Sequence, residues 1–162
     1  MKRLFVFAVV LGLLVVMVSS VAVVGASASQ AVSGDWQISS IISSSVQPVG
    51  ENCIIELVDT VNFQGDLVGT STQHTRIMHL GPCDQPAAEV FQSRGTFQGT
   101  VANVSGTFDF QLQGDADAQG NIQGPLVVLS GTEGLTNLHG QIALTGQLAS
   151  GGGTYSGDIH FD

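Results

Sequence analysis

Apolar and polar residues alternate along much of the second half of the chain. In the segment Val104–Gln113, one face of an extended strand carries apolar residues and glycine, namely Val104, Gly106, Phe108, Phe110 and Leu112. The segments Leu138–Leu148 and Gly153–Asp162 repeat this alternation. A period of two residues is typical of antiparallel strands that turn one side to a core and the other to water. These three segments are therefore predicted to be β-strands.

The remainder of the chain after the N-terminal apolar run follows the same rule less regularly. The segments Glu89–Gly99 and Ile122–Ser130 are also predicted strands, and no segment from Cys53 onward shows the helical period of an amphipathic helix. A first strand is predicted near residues 34–42. A loop is predicted through Ser43–Glu51, because that stretch is rich in serine and contains a proline and a glycine. The expected fold class is all-β.

Glycine recurs at regular places in the predicted strands. Three triplets share a Gly-Thr-aromatic pattern, namely Gly95–Phe97, Gly106–Phe108 and Gly153–Tyr155. Glycine weakens a strand unless the sheet bends sharply there, and aromatic rings then cover the bare backbone. A closed sheet also has no exposed edges. The glycine pattern therefore predicts a single antiparallel closed β-barrel of about eight strands.

The N-terminus has the parts of a secretory signal peptide. The basic pair Lys2–Arg3 precedes an apolar run, Leu4–Val24, and the small residues Ala26–Ala28 provide a cleavage site. We therefore predict a signal peptide over residues 1–28, an apolar signal helix, and a secreted or extracytoplasmic domain over residues 29–162. The apolar run has the ~20 residues needed to cross a bilayer, so an uncleaved anchor is the alternative.

The charge of the chain excludes one class of partner. The formal net charge is −9, and removal of Lys2 and Arg3 would make it −11. The predicted mature domain then has no lysine, and Arg76 and Arg94 are its arginines. Binding of nucleic acid depends on basic side chains that displace counterions, so no nucleic-acid partner is predicted. The membrane is expected to be contacted through the N-terminal apolar run alone, and then only if that run is retained.

Two cysteines, Cys53 and Cys83, are present in the predicted exported domain. In an oxidising compartment the usual outcome is a disulfide, and neither cysteine has a basic sequence neighbour that would activate it as a nucleophile. A structural Cys53–Cys83 disulfide is therefore predicted.

Several glycine-rich turns and strands resemble one family. The segments are Phe63–Gly69, Gly95–Val101, Ser105–Phe108, Ser130–Gly140 and the final Gly153-Thr154-Tyr155. Together they resemble a family of uncharacterised bacterial proteins with an allene-oxide-cyclase-like β-barrel, over roughly residues 34–162. The resemblance implies that fold. The plant cyclases of this fold hold a fatty-acid epoxide beside a carboxylate and an ordered water, but no residue here matches that carboxylate, so their activity is not carried over.

Asp59 is the candidate catalytic residue. It falls in phase with four apolar residues of the same predicted strand, Ile55, Leu57, Val61 and Phe63. Regular alternation therefore places its carboxyl group inside the barrel, whereas a bulge or a position at the barrel end would return it to water. Burial raises the pKa of a carboxyl group and suits it to general acid or base catalysis. No sequence motif identifies a reaction, and no cofactor is predicted.

His74 and Arg76 are candidate ligand-binding residues. They share one face of a regular strand while His79 points the other way, so the two histidines do not chelate one metal. If the shared face lines the barrel, Arg76 can bind a carboxylate through two parallel hydrogen bonds. If that face is in water, Arg76 pairs with one of many acidic neighbours, which is the commoner arrangement.

The segment Asp115–Asn121 imitates the start of a calcium-binding loop. Oxygen-bearing side chains alternate and Gly120 occupies the sixth position, but Leu126 stands where calcium requires a bidentate Glu. A polar hairpin turn accounts for the same residues. No metal site is therefore predicted.

The aromatic residues on inward phases support a ligand-binding function. They are Phe91, Phe97, Phe108, Phe110, Tyr155 and Phe161. Because some small barrels hold one ligand, the first hypothesis is an exported domain that binds a small apolar or amphipathic molecule. The second is a cofactor-free isomerase or cyclase that uses Asp59. The third is a cell-surface structural or interaction domain with a filled interior.

Overall fold

The computed structural model describes residues 28–162. The predicted signal segment, residues 1–28, lies outside the described residues except for Ala28. Within the described part of the chain, no helix is long and apolar enough to cross a membrane.

Eight antiparallel strands form the described chain. They are β1 (Gln30–Val49), β2 (Asn52–Gly65), β3 (Leu67–His79), β4 (Glu89–Val101), β5 (Val104–Ala116), β6 (Asn121–Glu133), β7 (Leu138–Gln147) and β8 (Gly152–Phe161). Each strand pairs with the next, and Gln30–Gln37 of β1 pairs with Gly152–Ile159 of β8, so the sheet closes into a barrel. The predicted all-β fold with about eight antiparallel strands is confirmed.

The alternation seen in the sequence corresponds to the two sides of the barrel wall. The five strands predicted in the second half all form, and their ends differ from the prediction by at most three residues. Alternate residues point inward and make one continuous apolar core, whose largest members are Trp36, Phe63, Phe97, Phe108, Phe110 and Tyr155. The apolar phase of each strand is therefore the interior of the barrel.

β1 is longer than the sequence predicts. The loop expected through Ser43–Glu51 is wrong, because β1 continues to Val49 and turns into β2 through Gly50 and Glu51. Beyond Gln37, β1 pairs with β2 but not with β8, and both faces of residues 39–49 are exposed. A strand with no buried face needs no alternation of apolar and polar residues, so its sequence signal is lost.

Aromatic rings cover glycines on the inner surface. A Cβ atom added at Gly114 would lie 2.6 Å from the Phe91 ring, and one added at Gly146 would lie 2.6 Å from the Trp36 ring. Backbone carbonyl oxygens of the neighbouring strands lie closer still, at 2.3 Å for Gln123 and 2.5 Å for Gly152. No side chain fits at such distances, so each glycine is required by the neighbouring backbone and by the ring that packs on it. The expected pairing of strand glycines with aromatic residues is confirmed.

One end of the barrel, the closed end, carries the β2–β3, β4–β5 and β6–β7 turns and is filled by apolar side chains. The β6–β7 turn folds Leu135 inward, where it is 0 % exposed. The Tyr155 hydroxyl accepts a hydrogen bond from the Leu67 N–H group at 2.7 Å and donates one to the Gln64 carbonyl at 3.0 Å. These bonds tie β8 to the β2–β3 turn and satisfy buried polar groups there.

The opposite end, the open end, carries the β1–β2, β3–β4, β5–β6 and β7–β8 turns. Here the β1–β2 hairpin continues past the point where β1 stops pairing with β8, and β1 shifts register against β2 twice, between Ile38 and Ser40 and between Ile41 and Ser43. The loop between β3 and β4 is joined to the start of β2 by a disulfide from Cys53 to Cys83. The predicted disulfide is present in the structure.

Truncation of the side chain that fills the closed end tests this description of the core. The Leu135→Ala variant should lose about 2–5 kcal/mol of unfolding free energy, because it leaves a cavity in a packed region. Leu129→Ala removes the same atoms from a side chain that is 53 % exposed, and it should stay within about 0.5 kcal/mol of the parent. Urea unfolding of both variants measures the difference, and equal losses would contradict a filled closed end.

Candidate functional site

The interior of the barrel holds a cavity at the open end. Its volume is about 100 Å³, and its wall is formed by residues of seven strands, β1 to β7. The cavity lies above the filled closed end and reaches solvent at its rim, where the lining residue Leu148 is 48 % exposed. The barrel is therefore filled at one end and hollow at the other.

The cavity has one polar wall and one apolar wall. The polar wall is built by adjacent strands β2, β3 and β4, and consists of Asp59, Gln73, Thr75 and Ser93. The remaining wall is mainly apolar, and includes Trp36, Phe63, Phe91, Leu112, Leu126 and Leu144. Such a cavity suits a molecule that is mostly apolar and carries a polar group on one side.

Asp59 is the most unusual group in the polar wall. The residue is 1 % exposed, so its predicted place inside the barrel is confirmed. Its Oδ2 atom accepts a long hydrogen bond from Nε2 of Gln73 at 3.4 Å, while its buried Oδ1 atom has no hydrogen-bond partner. Desolvation raises the pKa of this carboxyl group above its ordinary value of 3.8, and the bond from Gln73 opposes that shift in part. The catalytic role of Asp59 stays a prediction.

Two hydroxyl groups continue the polar wall beside Asp59. Oγ1 of Thr75 and Oγ of Ser93 lie 2.7 Å apart, and both residues are buried. Ser71, two inward positions from Thr75 along β3 and outside the cavity wall, has a buried Oγ atom without a hydrogen-bond partner. Because buried polar groups are normally bonded, the unpartnered Oδ1 atom of Asp59 in the cavity wall marks a place where a guest molecule or water can bond.

His79 and Glu89 form a buried pair at the rim of the cavity. Nδ1 of His79 lies 2.9 Å from Oε1 of Glu89, and its Nε2 lies 2.9 Å from the carbonyl oxygen of Gln85. The hydrogen bond to Glu89 raises the pKa of His79, against the opposing effect of burial. Glu89 also lines the cavity, although the sequence did not single it out. The sequence feature that could have identified Glu89 is its phase in the predicted strand, because it alternates in step with the inward residue Phe91.

His74 and Arg76 lie on the outer face of β3 and not in the cavity. Each side chain is 61 % exposed, and both contact the carboxylate of Glu56 on β2, at 3.0 Å from Nε2 of His74 and 3.7 Å from Nε of Arg76. Their assignment to an interior ligand site is therefore corrected. The water-facing alternative applies, because the inward phase of β3 belongs to Ile77 and the other odd-numbered residues.

The predicted aromatic residues divide between the cavity and the core. Phe91 lines the cavity, whereas four others, Phe97, Phe108, Phe110 and Tyr155, are outside its wall and fully buried in the core cluster. The rings of Phe97 and Phe108, for example, stack with centroids 4.8 Å apart. The four rings are thus corrected from expected ligand contacts to packing residues. Trp36 and Phe63, which line the cavity, were not among the predicted ligand contacts.

The segment that resembles a calcium loop is a hairpin turn between β5 and β6. Oδ1 of Asp117 accepts hydrogen bonds from the N–H groups of Gln119 and Asn121, each at 2.9 Å, and Gly120 has a φ of +82°. Hydrogen bonds from Asn121 lower the pKa of Asp117. Over residues 28–162, no group of three or more His, Cys, Asp or Glu side chains is arranged to hold a metal ion.

Comparison with known proteins places the chain in a family. The family model described as "Protein of unknown function (DUF3224)" matches residues 32–158. The chain belongs to this family. No curated protein matches it. The predicted membership of an uncharacterised family with a barrel-like fold is therefore confirmed.

A solved structure shares the fold of this DUF3224 chain. It is the crystal structure, at 1.84 Å resolution, of a DUF3224 protein of unknown function from Shewanella oneidensis MR-1. The similarity has a TM-score of 0.65 at 18 % sequence identity and covers 83 % of this chain and 98 % of the other. At this identity the comparison shows the fold alone, so the cavity of this DUF3224 chain has to be interpreted from its own residues.

Because burial disfavours the ionised form of Asp59, replacement of this residue should change the stability of the protein in a pH-dependent way. A carboxyl group whose pKa is raised by folding favours the protonated state, so ionised Asp59 destabilises the fold at pH values above its folded pKa. Asp59→Asn should therefore raise the melting temperature at about pH 8, and the gain should vanish below the ordinary carboxyl pKa of 3.8.

Thermal unfolding across that pH range measures the difference from the parent protein. Asp158→Asn is the matched control, because it removes the same charge from an exposed position on β8. An equal gain for both variants would show that the effect comes from net charge and not from burial of Asp59.

Proposed function

We propose that this domain binds a small apolar or amphipathic molecule in the cavity at the open end of the barrel. The observation that carries the proposal is the unequal filling of the interior. Aromatic and aliphatic side chains occupy the closed end fully, while the open end keeps a cavity with one polar and one apolar wall. A domain with a purely structural role has no need for such a hollow beside a buried, unpartnered carboxylate.

The size of the cavity limits what is held. Apolar cavities of about 150 Å³ hold a guest the size of benzene, and the cavity here has about 100 Å³. It is smaller than that reference cavity and therefore accepts the end of an aliphatic chain or a group smaller than benzene. A longer ligand would extend through the open end along the β1–β2 hairpin, where Ile41 and Val46 are exposed on the face that carries Asp59 and Ile55.

Export is part of the proposal. The disulfide between Cys53 and Cys83 is typical of proteins in oxidising compartments, and the N-terminal sequence has the parts expected of a signal peptide. The disulfide holds the loop between β3 and β4 next to the cavity rim formed by Glu89. In this proposal the domain meets its ligand outside the cytoplasm.

A variant that fills the cavity tests the binding site directly. Ala116 lines the cavity and is 2 % exposed, so Ala116→Leu should occupy part of the space and weaken ligand binding at least about tenfold. Ala118→Leu makes the same change on the exposed β5–β6 turn and should bind as the parent does.

The measurement is native mass spectrometry of the purified protein, with and without added medium-chain apolar compounds. An adduct that is lost on denaturation and in Ala116→Leu, but kept in Ala118→Leu, supports the cavity as the site. Adducts of equal abundance on both variants, or none with the parent protein, would contradict it.

Asp59 supports a second candidate function, a cofactor-free isomerase or cyclase. Its raised pKa and its position in the cavity wall suit it to give a proton to a bound molecule or to take one from it. Conversion of a bound compound should then be abolished in Asp59→Asn and retained in Asp158→Asn. Chromatography of ligands after incubation with each protein measures this conversion, and unchanged turnover in Asp59→Asn would exclude Asp59 as the acid or base.

A further inference from the structure

We propose that the cavity selects molecules whose polar group donates a hydrogen bond, such as an aliphatic alcohol or primary amine, and rejects carboxylates. This inference rests on the proposed binding function and specifies its ligand class. It follows from the kinds of polar atoms in the cavity wall and from where the positive charges of the chain lie.

The unpartnered buried polar atom that the described residues place in the cavity wall is an acceptor. Oδ1 of Asp59 is buried, belongs to a cavity-lining residue and has no hydrogen-bond partner among the described residues. The other oxygen of this carboxyl group already accepts from Gln73. A hydroxyl or ammonium group placed at Oδ1 would complete the bonding of Asp59, and hydrogen bonds to charged groups are among the stronger ones.

No positive charge is available inside the barrel to bind an anion. The charged residues of the cavity wall are Asp59 and Glu89, and both are acidic. The sequence has no lysine after Lys2, and both arginines of the described chain, Arg76 and Arg94, are exposed on the outer face. The nearby His79 is held by Glu89.

A carboxylate in this cavity would be destabilised for two reasons. It would lie beside the like charge of Asp59, and it would leave water without a cation to replace its hydration. The hydroxyl groups of Thr75 and Ser93 bond to each other, and as neutral donors they do not cancel a full negative charge. An alcohol or an amine meets neither obstacle.

Three molecules of equal chain length separate these cases. Binding of 1-octanol, octylamine and octanoate to the purified protein is measured by calorimetry at about pH 8, in enough salt to screen the net charge of the protein. We expect the alcohol and the amine to bind at least about tenfold more tightly than octanoate, which corresponds to one charge-assisted hydrogen bond.

Asp59→Asn should reduce this preference to about threefold or less, because an amide both donates and accepts and carries no charge. Asp158→Asn changes the net charge equally at an exposed site and should keep the parent preference.

Each outcome separates the ligand class from the existence of the site. Octanoate binding as tightly as octanol would overturn the inference while leaving the cavity as a binding site. A preference that persists in Asp59→Asn would also overturn it, because the selection would then come from the overall charge. Failure of all three compounds to bind would overturn both the inference and the proposed function.

Discussion

The structure depends on the pairing of its first and last strands. Hydrogen bonds between Gln30–Gln37 and Gly152–Ile159 convert a sheet with two edges into a ring. Closure gives every inward side chain a space of fixed width, so the interior has to be packed by residues of matching size. It also explains the paired glycines and rings, because Trp36 and Phe91 reach across positions that hold no side chain. The fold, the core and the cavity all depend on this pairing of β1 with β8.

The size of the inward side chains along the strands then decides which end of the barrel is filled and which end is hollow. Near the closed end, the inward positions carry Phe97, Phe108 and Tyr155, and a turn residue, Leu135, completes the packing. Near the open end, β3 and β4 place the smaller side chains of Thr75 and Ser93 inward, next to Asp59. These residues form the polar wall of the hollow, in which Thr75 and Ser93 bond to each other and Oδ1 of Asp59 has no partner.

The sequence predicted the fold well and the site in part, for a physical reason. Alternation reports which side of a strand is buried, so it identified the strands of the second half and the interior place of Asp59. It does not report the depth of a residue along the barrel axis, so it did not separate Phe91, in the cavity wall, from Phe97 in the core. It also gives no signal where a strand has no buried face, as in residues 43–49 of β1, which were predicted to be a loop.

The stretch of β1 that pairs with β2 but not with β8 has a consequence for the behaviour of the protein in solution. Residues 39–49 carry no charge and include exposed Ile41, Ile42 and Val46, which makes the stretch similar in composition to segments that recruit strands from other molecules and aggregate. The two register shifts interrupt its regular row of N–H and C=O groups, and Pro48 removes one donor near its end. The extended hairpin therefore does not offer a straight template for fibre growth.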